Sequence, residues 1–123
     1  RNEELLKIQN KYFEKSGNRD KIVQLTGNAV DILNDLNQTF DLIFIDADKE
    51  NYVKYFEIVS EKLNPNGIII SDNVLWSGKV VNRNNNDEET STLKKFNKTL
   101  HDDTRFETVI LPLRDGISIS RLI

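Results

Sequence analysis

Between residues 3 and 16 apolar positions recur at helical spacing. Leu5, Ile8 and Tyr12 share one face, and Leu6 and Phe13 widen it. Asn2 can cap the start, Glu3 and Glu4 suit the first turn, and Gly17 suits the stop. "KIVQL" at 21–25 reads as a short strand, and helical spacing returns over 28–36 through Ala29, Leu33 and Leu36. "FDLIFID" at 40–46 is nearly all apolar, as expected of a parallel strand buried on both faces. A further amphipathic helix is predicted over about 50–63, with Tyr52, Phe56, Val59 and Leu63 on one side. "NPNG" at 64–67 reads as a break, and "GIIIS" at 67–71 as another buried strand. A polar loop follows to about residue 89, after which Thr90 or Ser91 can cap a helix carrying Leu93, Phe96 and Leu100. "FETVILPL" and "ISISRL", joined through "RDG", predict a closing antiparallel hairpin.

Alternation of this kind implies an α/β fold with a mostly parallel sheet. No internal repeat or linker divides residues 1–123, so a single domain with one modest core is expected. The Asn-rich stretch before residue 89 reads as a mobile surface loop. A composition with 37% hydrophobic and 30% charged residues is that of a soluble globular chain. The net charge of −3 argues against a polyanion-binding surface. The absence of cysteine excludes disulfides, a thiolate metal site and a cysteine nucleophile. His101 is the only histidine, which excludes a histidine-rich zinc site. No run approaches the roughly 20 apolar residues of a membrane span and no signal peptide opens the sequence, so a cytoplasmic location is expected.

Two short stretches carry the chemistry. "IDADKENY" at 45–52 and "SDNVLW" at 71–76 each begin where an apolar run stops, and each places an acid there. In open parallel sheets, ligands bind outside the carboxyl ends of the strands, which is where Asp46 and Asp72 fall. Their strands are joined by one helix of ordinary crossover length and are expected to be neighbours, about 4.8 Å apart. Two unscreened carboxylates at that spacing repel, and one tends to hold a proton. A hard divalent cation removes the conflict. Asp46, Asp72 and the Asn73 amide oxygen supply three oxygen ligands, a set suited to Mg²⁺, Mn²⁺ or Ca²⁺. Each motif alone also fits a structural role: Asp48 as a helix cap, Lys49 as a solvated first-turn lysine, Asp72-Asn73 as a turn. Their recurrence at consecutive strand ends favours the site.

The blocks "FDLIFIDADKENYVKYF", "GIIISDNVLWSGKVV" and "LPLRDGISISRL" resemble the cation-dependent, S-adenosylmethionine-dependent O-methyltransferases of the caffeoyl-CoA and catechol type. They stand in the family's order and span essentially the whole chain. The resemblance implies a Rossmann-like methyltransferase sheet, mostly parallel, with a C-terminal antiparallel hairpin. It implies that Asp46, Asp72 and Asn73 are metal ligands and Lys49 the general base. Asp46 would also contact the cofactor, Asp48 and Tyr55 would lie near its methionine end, Asn28 and Ala29 beside its adenine, and Trp76 beside the acceptor. The implied cofactors are S-adenosylmethionine and a divalent cation, Mg²⁺ foremost. The implied acceptor is a small vicinal diol, catechol or caffeoyl in type, and the implied assembly is a homodimer. A hydroxylated tRNA uridine is the alternative acceptor, against which the acidic balance argues.

One part of the family pattern has no counterpart. Its first strand ends in a glycine-rich loop and its second in an acid that holds the ribose, whereas the glycines here stand at 17, 27, 67, 78 and 116, and no pair forms such a loop. The resemblance therefore implies the C-terminal part of the domain, without the first two strands, which in the family lie between "KIVQL" and "FDLIFID". Three expectations follow: an exposed apolar edge at "LIFI", weak or absent cofactor binding, and no activity from these 123 residues alone. A non-catalytic fragment is the competing reading. A phosphoacceptor receiver domain fits poorly, because it needs an acidic pair after its first strand and this chain opens with a helix.

Overall fold

The apolar stripe at the start of the chain forms a helix, α1 (Glu3–Lys15), which stops at Gly17 in the left-handed conformation (φ 69°). The computed structural model describes residues 3–123, so the cap expected at Asn2 lies outside the described residues. They divide into two compact units, one ending at Ile32 and the other running from Leu33 to Ile123. In the first unit the strand expected at 21–25 does not form. A single 3₁₀ turn, Arg19–Lys21, leads into non-regular backbone. A strand exists only where a neighbour takes up its N–H and C=O groups, and no strand among the described residues pairs here. Val23 is accordingly 83% exposed. Helix α2 (Ala29–Asp35) follows, capped by Asn28, whose Oδ1 accepts the Val30 N–H at 2.9 Å.

The second unit is built on four strands: β1 (Phe40–Ile45), β2 (Leu63–Asp72), β3 (Phe106–Leu111) and β4 (Ile117–Leu122). Their order is β1-β2-β4-β3. β1 and β2 are parallel, and the β3–β4 hairpin joins β2 antiparallel through β4. The α/β layering, the parallel pair and the closing hairpin of a Rossmann-like methyltransferase sheet are all present. β1 and β2 are linked by a 3₁₀ turn, Lys49–Asn51, and helix α3 (Tyr52–Ser60), which ends short of residue 63. "NPNG" is not a break but a bulge inside β2. Phe40 pairs with Leu63 and Leu42 with Ile68, so the intervening β2 residues arch out, with Asn66 at φ 63°. Gly67 is required in this arch, because a Cβ there would stand 2.8 Å from the Asn64 carbonyl oxygen.

Helix α4 (Glu88–Asp102) is capped by Asp87 rather than by Thr90 or Ser91. Asp87 Oδ1 accepts the Thr90 N–H at 3.0 Å and Oδ2 accepts the Thr90 hydroxyl at 2.7 Å, which hold its carboxyl below the usual range. Thr90 is fully buried as the cap's partner. The core joins α3 and α4 through three aromatics. Phe96 meets Tyr52 edge-on with centroids 5.2 Å apart and Phe56 at 6.0 Å, and Phe56 reaches Phe106 of β3 at 5.3 Å. Burying each ring contributes about 1.5–3 kcal/mol. β1 departs from the two-sided burial that its sequence suggests. Among the described residues it is an edge strand with one neighbour, so Ile45 is buried while Leu42 and Phe44 on the other face are each 56% exposed.

Candidate functional site

The register of β1 on β2 creates the site. Ile45 pairs with Ser71, so Asp46 and Asp72 are next in line at the carboxyl ends of adjacent parallel strands. After Asp46 the chain turns through the 3₁₀ segment and carries Lys49 inward. Lys49 is 6% exposed, and its Nζ stands 3.6 Å from Asp46 Oδ1. The same ammonium donates to Asn73 Oδ1 at 2.9 Å and to the Tyr52 hydroxyl. It also lies 4.3 Å from the Tyr52 ring centroid and 5.8 Å from that of Trp76. The solvated-lysine reading of Lys49 is therefore wrong for this fold. Asp46, Lys49 and Asn73 meet, and Asp72 adjoins them, its Oδ1 accepting the Asn73 N–H at 2.7 Å.

Tyr52 is the residue that sequence reasoning placed only in the core. It is fully buried, and its hydroxyl donates to the Asp72 carbonyl at 3.0 Å, with the Ile45 carbonyl at 3.4 Å. One phenol thus ties both strand ends together and orients Lys49. Burial, aided by the charges of Asp46, Asp72 and Asp48, pushes its ionisation well above the ordinary tyrosine value. The one available signal was its position three residues after Lys49, on the buried side of the same turn.

Asp48 is not a side-chain cap. Its Oδ1 accepts the Tyr55 hydroxyl at 2.6 Å and its Oδ2 accepts from the Asn51 amide. The Tyr55 bond is the main reason that its carboxyl sits below the usual range, and burial with the Asp48 contact pushes Tyr55 up to about 12. Asp48 and Tyr55 thus form a fixed pair beside the first strand end. Asn28 and Ala29 belong to the first unit, where Asn28 caps α2 with its amide oxygen.

The segment after Asp72 is bent hard. Asn73 (φ 60°), Trp76 (φ 48°), Ser77 (φ 53°) and Gly78 (φ 76°) are all left-handed. Asn and Gly tolerate this, but Trp and Ser pay about 1–3 kcal/mol each, strain that persists only where surrounding contacts enforce it. The enforcing contacts come from the β3–β4 turn and α4. The Val74 N–H donates to the Gly116 carbonyl at 3.1 Å, the Leu75 N–H to the Asp115 carbonyl at 2.9 Å, and the Asn97 amide to the Val74 carbonyl at 2.8 Å. Trp76 is half-buried, with its indole N–H buried and without a partner among the described residues, and Lys79 lies 5.9 Å from its ring.

The donors at the strand ends are all oxygens. No cluster of three or more His, Cys, Asp or Glu occurs among the described residues, so a cation here would take two carboxylates and an amide. Each carboxylate has about four lone-pair sites and Asn73 Oδ1 has two, more than the hydrogen bonds above consume. The set fits a hard divalent cation and not a thiophilic one. No helix among the described residues is long and apolar enough to cross a membrane.

A family model described as O-methyltransferase matches residues 1–123. Caffeoyl-CoA O-methyltransferase 1 of Eucalyptus globulus is 36% identical over 90% of this chain and 50% of its own length. Catechol O-methyltransferase of Niastella koreensis is 33% identical over 86% of this chain and 50% of its own length. The chain thus spans about half the length of the curated relatives that it matches. Among solved structures, an O-methyltransferase from Bacillus cereus in complex with SAH superposes with a TM-score of 0.88 at 28% identity, covering 99% of this chain and 60% of that one. An SAH-bound methyltransferase from Podospora anserina superposes at 0.85 with 30% identity, covering 98% of this chain and 57% of that one.

Proposed function

Because the chain belongs to the O-methyltransferase family, we propose that it supplies the cation and acceptor side of an S-adenosylmethionine-dependent O-methyltransferase acting on a small vicinal diol. The observation that carries this reading is the placement of Lys49 Nζ against Asn73 Oδ1 at 2.9 Å and Asp46 Oδ1 at 3.6 Å, at the ends of two adjacent parallel strands. Asp46, Asp72 and Asn73 would hold the cation. A divalent ion there supplies Lewis-acid polarisation and a template for two neighbouring oxygens. The chain's own residues do the rest. Tyr52 and Asn73 aim Lys49 Nζ, which in its neutral amine form takes the proton from the acceptor hydroxyl as general base. Asp48, fixed by Tyr55, offers a carboxylate for the methionine end of the cofactor. Trp76 provides an aromatic wall for a planar acceptor. S-adenosylmethionine, when bound, would supply the methyl group and leave as S-adenosylhomocysteine, and this chain's part would be to hold the acceptor oxygen at near-attack distance from that methyl. The diol reading draws support from relatives named for caffeoyl-CoA and catechol.

The test is transfer of labelled methyl from S-adenosylmethionine to catechol by the full-length gene product. Transfer is expected with Mg²⁺ present, lost with EDTA and restored by added Mg²⁺ or Mn²⁺. Transfer that survives EDTA would remove the cation from the reading, and failure with every vicinal diol tried would remove the acceptor class.

A further inference from the structure

The β3–β4 turn does more than reverse the chain. Asp115 reaches the 73–78 segment twice: its carbonyl accepts the Leu75 N–H at 2.9 Å, and its Oδ1 accepts the Ser77 N–H. The neighbouring Gly116 accepts from Val74 N–H at 3.1 Å and is itself left-handed (φ 83°), and a Cβ on it would strike the Leu75 side chain. No cation pairs with the Asp115 carboxylate among the ion pairs of the described residues. The carboxylate is spent on a backbone N–H inside the most strained part of the chain, where Trp76 and Ser77 are both left-handed.

We propose that Asp115 is a positioning residue: through Ser77 it locks the turn that presents Trp76 to the acceptor and Asn73 to Lys49. It touches no reacting atom. The hairpin turn thereby becomes part of the acceptor side of the site, and its length and its Asp-Gly pair set the placement of the aromatic wall. The functional weight of this rests on the O-methyltransferase reading above, but the locking itself does not.

Trp76 is the only tryptophan in the chain, so its fluorescence reports this turn alone. The experiment compares acrylamide quenching and the emission maximum of the wild-type chain with those of Asp115→Asn and Asp115→Ala, without cofactor or acceptor. The Asn side chain keeps an oxygen able to accept from Ser77, so Asp115→Asn is expected to match the wild type. Asp115→Ala cannot accept, and its quenching constant is expected to rise severalfold with a red-shifted emission while the far-ultraviolet circular dichroism stays unchanged. Unchanged quenching in a folded Asp115→Ala chain overturns the proposal. So does an Asp115→Asn chain as perturbed as the alanine variant, since charge rather than hydrogen-bond geometry would then be at work. Should Asp115→Ala fail to fold, Asp115→Asn decides alone: quenching at the wild-type value is the expected result, and a severalfold rise overturns the proposal. Methyl transfer unchanged in Asp115→Ala, with these spectra as expected, would count against the acceptor-side reading and not against the lock.

Discussion

Replacing Lys49 by alanine in the full-length protein is expected to lower kcat by about 10²–10⁴-fold, the usual contribution of a positioned general base. The acceptor KM is expected to change little, because the proposed cation ligands and Trp76 remain. Lys49 is 6% exposed, and its Nζ is fixed by Asn73 Oδ1 at 2.9 Å and by the Tyr52 hydroxyl, so it has one direction in which to act. A change confined to kcat identifies an interaction made in the transition state. A raised KM with unchanged kcat would reassign Lys49 to holding the acceptor, and steady-state kinetics over a range of acceptor concentrations distinguish the two.

Phe96→Ala is expected to cost about 3–5 kcal/mol of folding stability, the range for truncating a buried aromatic. Phe96 is fully buried and meets both Tyr52 and Phe56 edge-on, so the cavity would open between α3 and α4. The loss is a large share of the roughly 5–15 kcal/mol that stabilises a domain. It also reaches the site, because Tyr52 leans on Phe96 and its hydroxyl links Lys49 to the two strand ends. Urea unfolding of wild type and variant measures it. A loss below about 1 kcal/mol would show that the α3–α4 contact collapses without cost and does not brace Tyr52.

Much of this was legible in the sequence, for identifiable reasons. Period 3.6 marks α1, α2 and α4, and apolar runs ending in acids mark β1 and β2. The placing of Asp46 and Asp72 at neighbouring strand ends followed from parallel-sheet topology, and the register of Ile45 on Ser71 realises it. What was not legible depends on partners distant in sequence. Residues 21–25 have strand composition, but no strand among the described residues pairs with them. "NPNG" has break composition, yet β1 beside it keeps the segment in the sheet as a bulge. Asp87 outcompetes Thr90 as the cap because Thr90 is buried and serves as its donor. Tyr52 counted as one more apolar face residue, although its hydroxyl is the bridge of the site. The "RDG" turn read as a hairpin corner, and its hold on the 73–78 segment shows only when the two are side by side.

The central claim is that two strand-end carboxylates and one amide form a divalent cation site. It is tested most directly by titrating the 123-residue chain with Mn²⁺ and following free ion by electron paramagnetic resonance. One Mn²⁺ per chain is expected, displaced by Mg²⁺ and weakened by about 100-fold or more in the Asp46→Asn/Asp72→Asn double variant, a loss at or beyond the range seen for outer-shell partners alone. Absence of saturable binding, or binding of equal strength in the double variant, would contradict the account.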